Sequence, residues 1–265
     1  TNLYGFRPSP GLIPDKRGES KYPVLTTPGG IARTPEDLSI FLDSVSGQDD
    51  EDHYSYSFEG SFRSIEKHLN SEIRIGWLSN FVENYTFEKG IIELCEFALN
   101  QFATAEKKIS IEQCNIKIDP NKLWEVWCNL RSKITFDDLS SMQIQNFEEL
   151  GFPVKWEYEQ GEKIKEADIS NAIDHYLKDR SYVDSLFGKY DFLALPSAQL
   201  FPFDKEIDFP KSIHETQMDT YHRWMEVTVF ASMFQLPTIS VPVGFNEKGL
   251  PMGMHLIGKN KSDAK

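Results

Sequence analysis

Apolar positions along the chain follow two rhythms: short, nearly continuous runs, and longer stretches that repeat every three or four residues. The short runs predict strands near 73–78, 191–196, 237–243 and 252–257, with a further short one over Ile109–Cys114. The longer stretches predict helices. Thr34 reads as an N-cap, Pro35 sits at the first helical position, and Asp37 completes a capping box. Leu38, Phe41, Leu42 and Val45 then mark a buried face that ends at Gly47. A second helix from about Phe87 to Phe102 is expected to bury Ile91, Leu94, Cys95, Ala98 and Phe102. Asp119-Pro120 opens another, with Leu123, Val126, Trp127 and Leu130 on one face. Residues 135–165 are charged, weakly periodic and broken at Gly151-Phe152-Pro153, which predicts a helical excursion over the sheet. A long amphipathic helix resumes near Ile169 through Ala172, Ile173, Tyr176, Leu177 and Val183, and a last one spans about Asp219 to Phe234. Residues 1–33 read as a loop-rich stretch, and Gln48–Asp52 as a solvated loop lacking the spacing of a calcium site. Helices interleaved with apolar strands imply an α/β fold, one mixed sheet covered by helices on both faces.

Composition narrows the function classes. Hydrophobic residues at 40% and aromatic residues at 13% exclude a disordered chain. The net charge of −13 argues against nucleic acid or an anionic membrane surface as partner. No apolar run reaches the length of a membrane span, and no stretch reads as a signal peptide. Cys95, Cys114 and Cys128 are odd in number and widely spaced, which disfavours a disulfide framework or a zinc site and points to a reducing compartment, by default the cytoplasm. Thr1 is not a methionine, and Asn260–Ala264 has the character of a helix opening, so both ends read as cut from a longer chain.

The candidate chemistry is sparse. An N-terminal threonine can act as nucleophile with its own amine as base, which makes Thr1 a candidate resting on position alone. Ser140-Ser141 lacks the neighbouring glycine that would bare amides for an oxyanion, and reads as a helix-surface pair. His214-Glu215 begins a zinc-peptidase pattern, but Met218 stands where the second histidine belongs. His53, His68 and His175 have no visible acid or nucleophile beside them, while His222 and His255 flank apolar runs as structural histidines do. Trp124, Trp127 and Trp224 read as core. No catalytic set, metal site or cofactor site emerges from the residues themselves.

Four segments carry a resemblance. Gly5-Phe6-Arg7-Pro8-Ser9-Pro10-Gly11-Leu12-Ile13-Pro14 resembles the stretch that follows the glycine- and serine-rich signature of amidase-signature enzymes. Thr27 to Leu38 is similar to that family's G-P-[ML]-A-R-T-x-x-D element, with Gly30 where proline is usual. Asp191 to Gln199 fits its strand and pocket turn, and Leu236–Phe245 with Gly249–Gly258 is similar to its terminal L-P-[AT]-[IL]-S and G-L-P-[VM]-G elements. Residues 115–185 match least. The resemblance implies that residues 1–265 are the C-terminal part of one amidase domain, with 119–185 a variable helical excursion on the substrate side. It implies hydrolysis of a carboxamide C–N bond to an acid plus ammonia or an amine, by a Ser–cis-Ser–Lys triad that lies upstream of this chain. No catalytic residue falls here. Pro196, Ser197, Ala198, Gln199, Tyr221 and Trp224 are the positions that inherit a substrate-binding role. The partners implied are a small-molecule amide and the missing N-terminal half of the domain, with room for a homodimer, and no cofactor. Two rival readings stay open: a non-catalytic subunit or binding fragment, and a hydrolase using Thr1.

Overall fold

A computed structural model describes residues 2–15, 21–64, 71–142 and 146–265; Thr1 and His68 lie outside them. In chain order the elements are β1 (Tyr4–Arg7), β2 (Gly30–Ala32), α1 (Pro35–Val45), β3 (Ile73–Trp77), α2 (Ser79–Asn84), α3 (Ile91–Ala105), β4 (Ile109–Gln113), α4 (Pro120–Ser141), α5 (Phe152–Lys163) and α6 (Glu166–Leu186). There follow β5 (Phe192–Pro196), β6 (Ser212–Ile213), β7 (Thr216–Gln217), α7 (Val229–Met233), β8 (Thr238–Phe245) and β9 (Pro251–Ile257). Seven strands form one sheet in the order β2-β1-β8-β9-β5-β3-β4, and β6 and β7 pair separately. The β5-β3-β4 side is parallel and the rest antiparallel. All the strands expected from the apolar runs lie in this one sheet, so the mixed α/β architecture stands.

Alternation along β5 separates the two faces. Leu193 and Leu195 point into a large core with Leu130 of α4, Val183 of α6 and Phe230 and Met233 of α7. Ala194 faces the other way, toward Cys95 and Leu99 of α3, Trp77 of β3 and Met254 of β9. The helix starts follow their caps. Thr34 Oγ1 accepts the Asp37 amide at 3.1 Å, Asp119 Oδ1 accepts that of Asn121 at 2.9 Å, and each cap is followed by a proline in the first turn.

Several expectations need correction. The loop-rich opening contains β1 and β2, too short and too glycine-rich to show a period; β1 is held by pairing to β8, and β2 by pairing to β1. Helix α3 turns Ile91, Cys95 and Leu99 inward, while Leu94 and Ala98 are half-buried and Phe102 is exposed. Leu177 on α6 is likewise exposed. The acidic loop is not wholly solvated, because Asp52 is buried and its carboxylate accepts the amides of Asp15 and Tyr54. The helix expected over 219–234 is a 3-10 stretch, Arg223–Thr228, with Met225 off the helical conformation, running into the short α7. The Val227 amide there bonds the Gln199 side chain instead of an α-helical carbonyl (3.2 Å). Gly30, where the family pattern has proline, lies beneath the Phe41 ring: a Cβ there would stand 2.6 Å from its Cδ1.

Helices α4 and α5 cross at Gly161. A Cβ at this position would stand 2.2 Å from the Ser132 carbonyl oxygen and 2.6 Å from Phe136 Cβ. Gly161→Ala is therefore expected to destabilise the fold by about 1–3 kcal/mol, although alanine favours a helix by roughly 1 kcal/mol. Urea denaturation of the two proteins reads the difference.

Candidate functional site

Past the end of β5 the chain turns at Ser197, whose amide donates to the Gly253 carbonyl at 3.0 Å. A cavity of about 210 Å³ opens at this turn. Ser197 and Ala198 form one wall, the 200–203 loop and Trp224 a second, and Ser240, Pro242, Met252 and Gly253 of β8 and β9 the floor. The floor exists because β8 bulges away from β9 between Pro242 and Gly244. Proline brings no N–H to the ladder there, and Gly244 takes φ +134°, which glycine tolerates. Trp224 is fixed by its Nε1, which donates to the Tyr221 carbonyl at 3.0 Å, and by an edge-to-face contact with Phe203 at 5.4 Å.

Of the residues the sequence singles out, Ser197, Ala198 and Trp224 line this cavity, and Pro196, Gln199 and Tyr221 do not. Pro196 lies buried in β5 opposite Met254. Gln199 is fully buried behind the wall: Nε2 donates to the Thr86 carbonyl (3.1 Å) and to Glu226 (3.3 Å), and Oε1 accepts the Val227 amide. Glu226 is buried too. Arg223 Nε stands 2.9 Å from its second oxygen, an ion-pair distance without hydrogen-bond alignment. Burial raises the Glu226 carboxyl to a pKa of about 6, against the opposing pull of Arg223 and Gln199.

Tyr221 belongs to a second polar cluster that periodicity did not reveal. At its centre is Glu157 of α5, only 2% exposed. It accepts from Arg131 Nε (2.6 Å), Ser132 Oγ (2.5 Å) and Tyr221 OH (2.8 Å), and His222 Nε2 stands 3.4 Å away, a contact rather than an aligned bond. Burial alone would push this carboxyl up, but His222, Ser132, Arg131 and Tyr221 together hold it down at about 2. Burial lifts the Tyr221 phenol to about 12, so it is a neutral donor. The His222 ring stacks on Tyr221 at 4.3 Å and packs against Trp124, Trp127 and Trp156. Among the described residues, none that lines the cavity falls within 119–185; that region meets the segment behind the wall at Tyr221 and His222.

The remaining candidates stand apart. Ser140 and Ser141 are exposed at the end of α4, and His214 and Glu215 are exposed at the β6–β7 turn. Among the described residues no group of three or more His, Cys, Asp or Glu is placed to hold a metal, and no helix is long and apolar enough to cross a membrane. The three cysteines are free.

A profile of the Amidase family matches residues 1–265. The chain belongs to the amidase family. A glutamyl-tRNA(Gln) amidotransferase subunit of Saccharolobus solfataricus is 25% identical to it, over 98% of this chain and 57% of that protein. An acylamidase of Rhodococcus erythropolis is 24% identical, over 99% and 54%. Among solved structures, a bacterial aryl acylamidase of the amidase-signature family superposes with a TM-score of 0.85 at 23% identity, covering 100% of this chain and 56% of that one. A glutamyl-tRNA(Gln) amidotransferase subunit of Thermotoga maritima superposes with a TM-score of 0.72 at 22% identity, covering 99% and 55%. The amidase-family chain thus shares the fold of these proteins and spans a little over half their length.

The two buried carboxylates respond to pH in opposite ways. Glu157, held below its ordinary 4.5, contributes stability that is present above that value and lost as pH falls toward about 2. Glu157→Gln is expected to cost about 3–5 kcal/mol at pH 7, with the cost shrinking below pH 4. Glu226 is raised from 4.5 to about 6, so its contribution is present at low pH and is lost as pH climbs through that window. Glu226→Gln should therefore stabilise the protein at pH 8 by up to ~2 kcal/mol and leave it unchanged near pH 4. Chemical denaturation across pH 2–8 tests both, and a Glu226→Gln protein less stable than wild type at pH 8 overturns the second.

Proposed function

We propose that this chain supplies the acyl-binding side of an amide hydrolase that cleaves a carboxamide C–N bond to an acid plus ammonia or an amine. The observation that carries this reading is convergence. The turn after β5, the bulged β8 and the start of β9 are among the segments that fit the family pattern, and they meet at one cavity. Its walls exclude water from one side of a bound acyl group, and the Ser197 and Ser240 hydroxyls lie within them as hydrogen-bonding groups. The serine nucleophile and its proton-transfer partners are assigned to the part of the domain beyond this chain, where the relatives extend. That part is expected to pack beside the edge strand β2, where Ile31 is 74% exposed, and near His255, whose Nδ1 is buried without a partner. Relatives named as amidotransferase subunits favour a second reading, in which the parent works as one component of a complex.

Residues 1–265 alone are expected to turn over no simple amide, because losing a whole catalytic unit forfeits nearly all the rate enhancement. A polypeptide that also carries the missing part should turn amides over. The assay uses several simple amides with Thr1→Ala as control. Turnover by 1–265 that disappears in the control promotes Thr1 as nucleophile. Turnover that persists places a catalytic set inside these residues.

A further inference from the structure

Among the described residues, none with an ionisable side chain lines the cavity at the end of β5. Its polar side chains are the hydroxyls of Ser197 and Ser240 and the amide of Asn2; the rest of the wall is apolar or aromatic. An amino acid with a side-chain amide, such as glutamine, arrives with an α-ammonium and an α-carboxylate, and this wall offers neither of them a countercharge. Leaving such groups desolvated and unpaired is strongly unfavourable. The relatives named above include both amidotransferase subunits and acylamidases; the wall itself distinguishes between charged and neutral amides.

Size and shape narrow the choice further. At about 210 Å³ the cavity lies below the roughly 300–1,000 Å³ of drug-sized sites. It has room for one ring or a short branched chain. Trp224 and Phe203 meet edge to face at 86°, and the indole is held by its bond to the Tyr221 carbonyl. A third flat group extends such an arrangement favourably. Gly253 separates the two hydroxyls. A Cβ at this position would stand 2.7 Å from Ser197 Oγ and 3.0 Å from Ser240 Oγ. Among the described residues neither hydroxyl hydrogen-bonds a protein group, so both are free to take a carboxamide.

We infer that this cavity selects a neutral, ring-sized acyl group, an aryl carboxamide rather than the amide of a charged amino acid, with Ser197 and Ser240 orienting the carboxamide across Gly253. The inference rests on the reading of the cavity as the acyl side of an amide hydrolase. Gly253, Trp224 and Phe203 are then its specificity-determining residues.

The test is binding, measured by calorimetry on the full 265-residue chain with benzamide and L-glutamine as probes. Benzamide is expected to bind at least about tenfold more tightly than L-glutamine. Gly253→Ala should weaken benzamide by about tenfold or more. Phe203→Ala, at the exposed mouth where folding is not at risk, should weaken it by about threefold to tenfold. Glutamine binding as tightly as benzamide, no benzamide binding, or benzamide binding unchanged in Phe203→Ala overturns the inference. Turnover separates it from the reading beneath it. A longer polypeptide that hydrolyses L-glutamine and spares benzamide keeps the hydrolase and sinks the aryl selectivity. Benzamide bound as described with no amide cleaved keeps the cavity's selectivity and sinks the hydrolase.

Discussion

Strand β9 is bonded along both edges, to β8 from Thr238 to Phe245 and to β5 from Leu193 to Pro196. It is antiparallel to both and is the seam that joins the outer antiparallel strands to β5, where the parallel pairing with β3 begins, and the rest of the structure depends on it. The seam is regular where the core needs it, at Met254 and Ile257, both fully buried. It breaks at its other end, where Pro242 cannot donate and Gly244 absorbs the extra residue. The cavity lies beside that break. Floor and fold therefore come from one ladder, and the ladder's defect is what leaves space.

Behind the wall stand two carboxylates with opposite histories. Glu157 is buried among three hydrogen-bond donors, one of them a guanidinium, and remains ionised. Glu226 is buried with one misaligned arginine and one amide, and ionises reluctantly. Both act on the same stretch, residues 221–227, from different sides. Glu157 takes the Tyr221 hydroxyl from the direction of α4 and α5, and Glu226 meets Gln199 from the direction of β5. Trp224 sits between these two attachments. The helices of 119–185 therefore contact the segment that carries Trp224, and none of their described residues lines the cavity.

How much of this was legible depends on how far apart in sequence the cause lies. The strands of the sheet interior were readable because burial on both faces leaves a continuous apolar run. Helices α1 and α4 were readable because Thr34-Pro35 and Asp119-Pro120 are local start signals. β1 and β2 were not, since their residues become strands through pairing with distant partners. The broken helix at 223–228 follows from Gln199, 28 residues away from Val227. Glu157 meets Tyr221 across 64 residues, and nothing in either neighbourhood announces the other. Resemblance singles out Ser197, Ala198 and Trp224, which line the cavity, together with Pro196, Gln199 and Tyr221, which do not. The buried roles of Gln199 and Tyr221 needed the fold.

The 200–203 loop is tied to the framework at a few points. Glu88 accepts the Phe201 amide at 2.9 Å, and its own amide bonds the Gln199 carbonyl at 2.8 Å. Phe201 is buried, while Pro202 and Phe203 are exposed beyond it. Folding thus constrains the anchor and leaves the rim to drift. Single exchanges at two adjacent codons can therefore rewrite the mouth of the cavity without disturbing the sheet, its seam or either buried carboxylate.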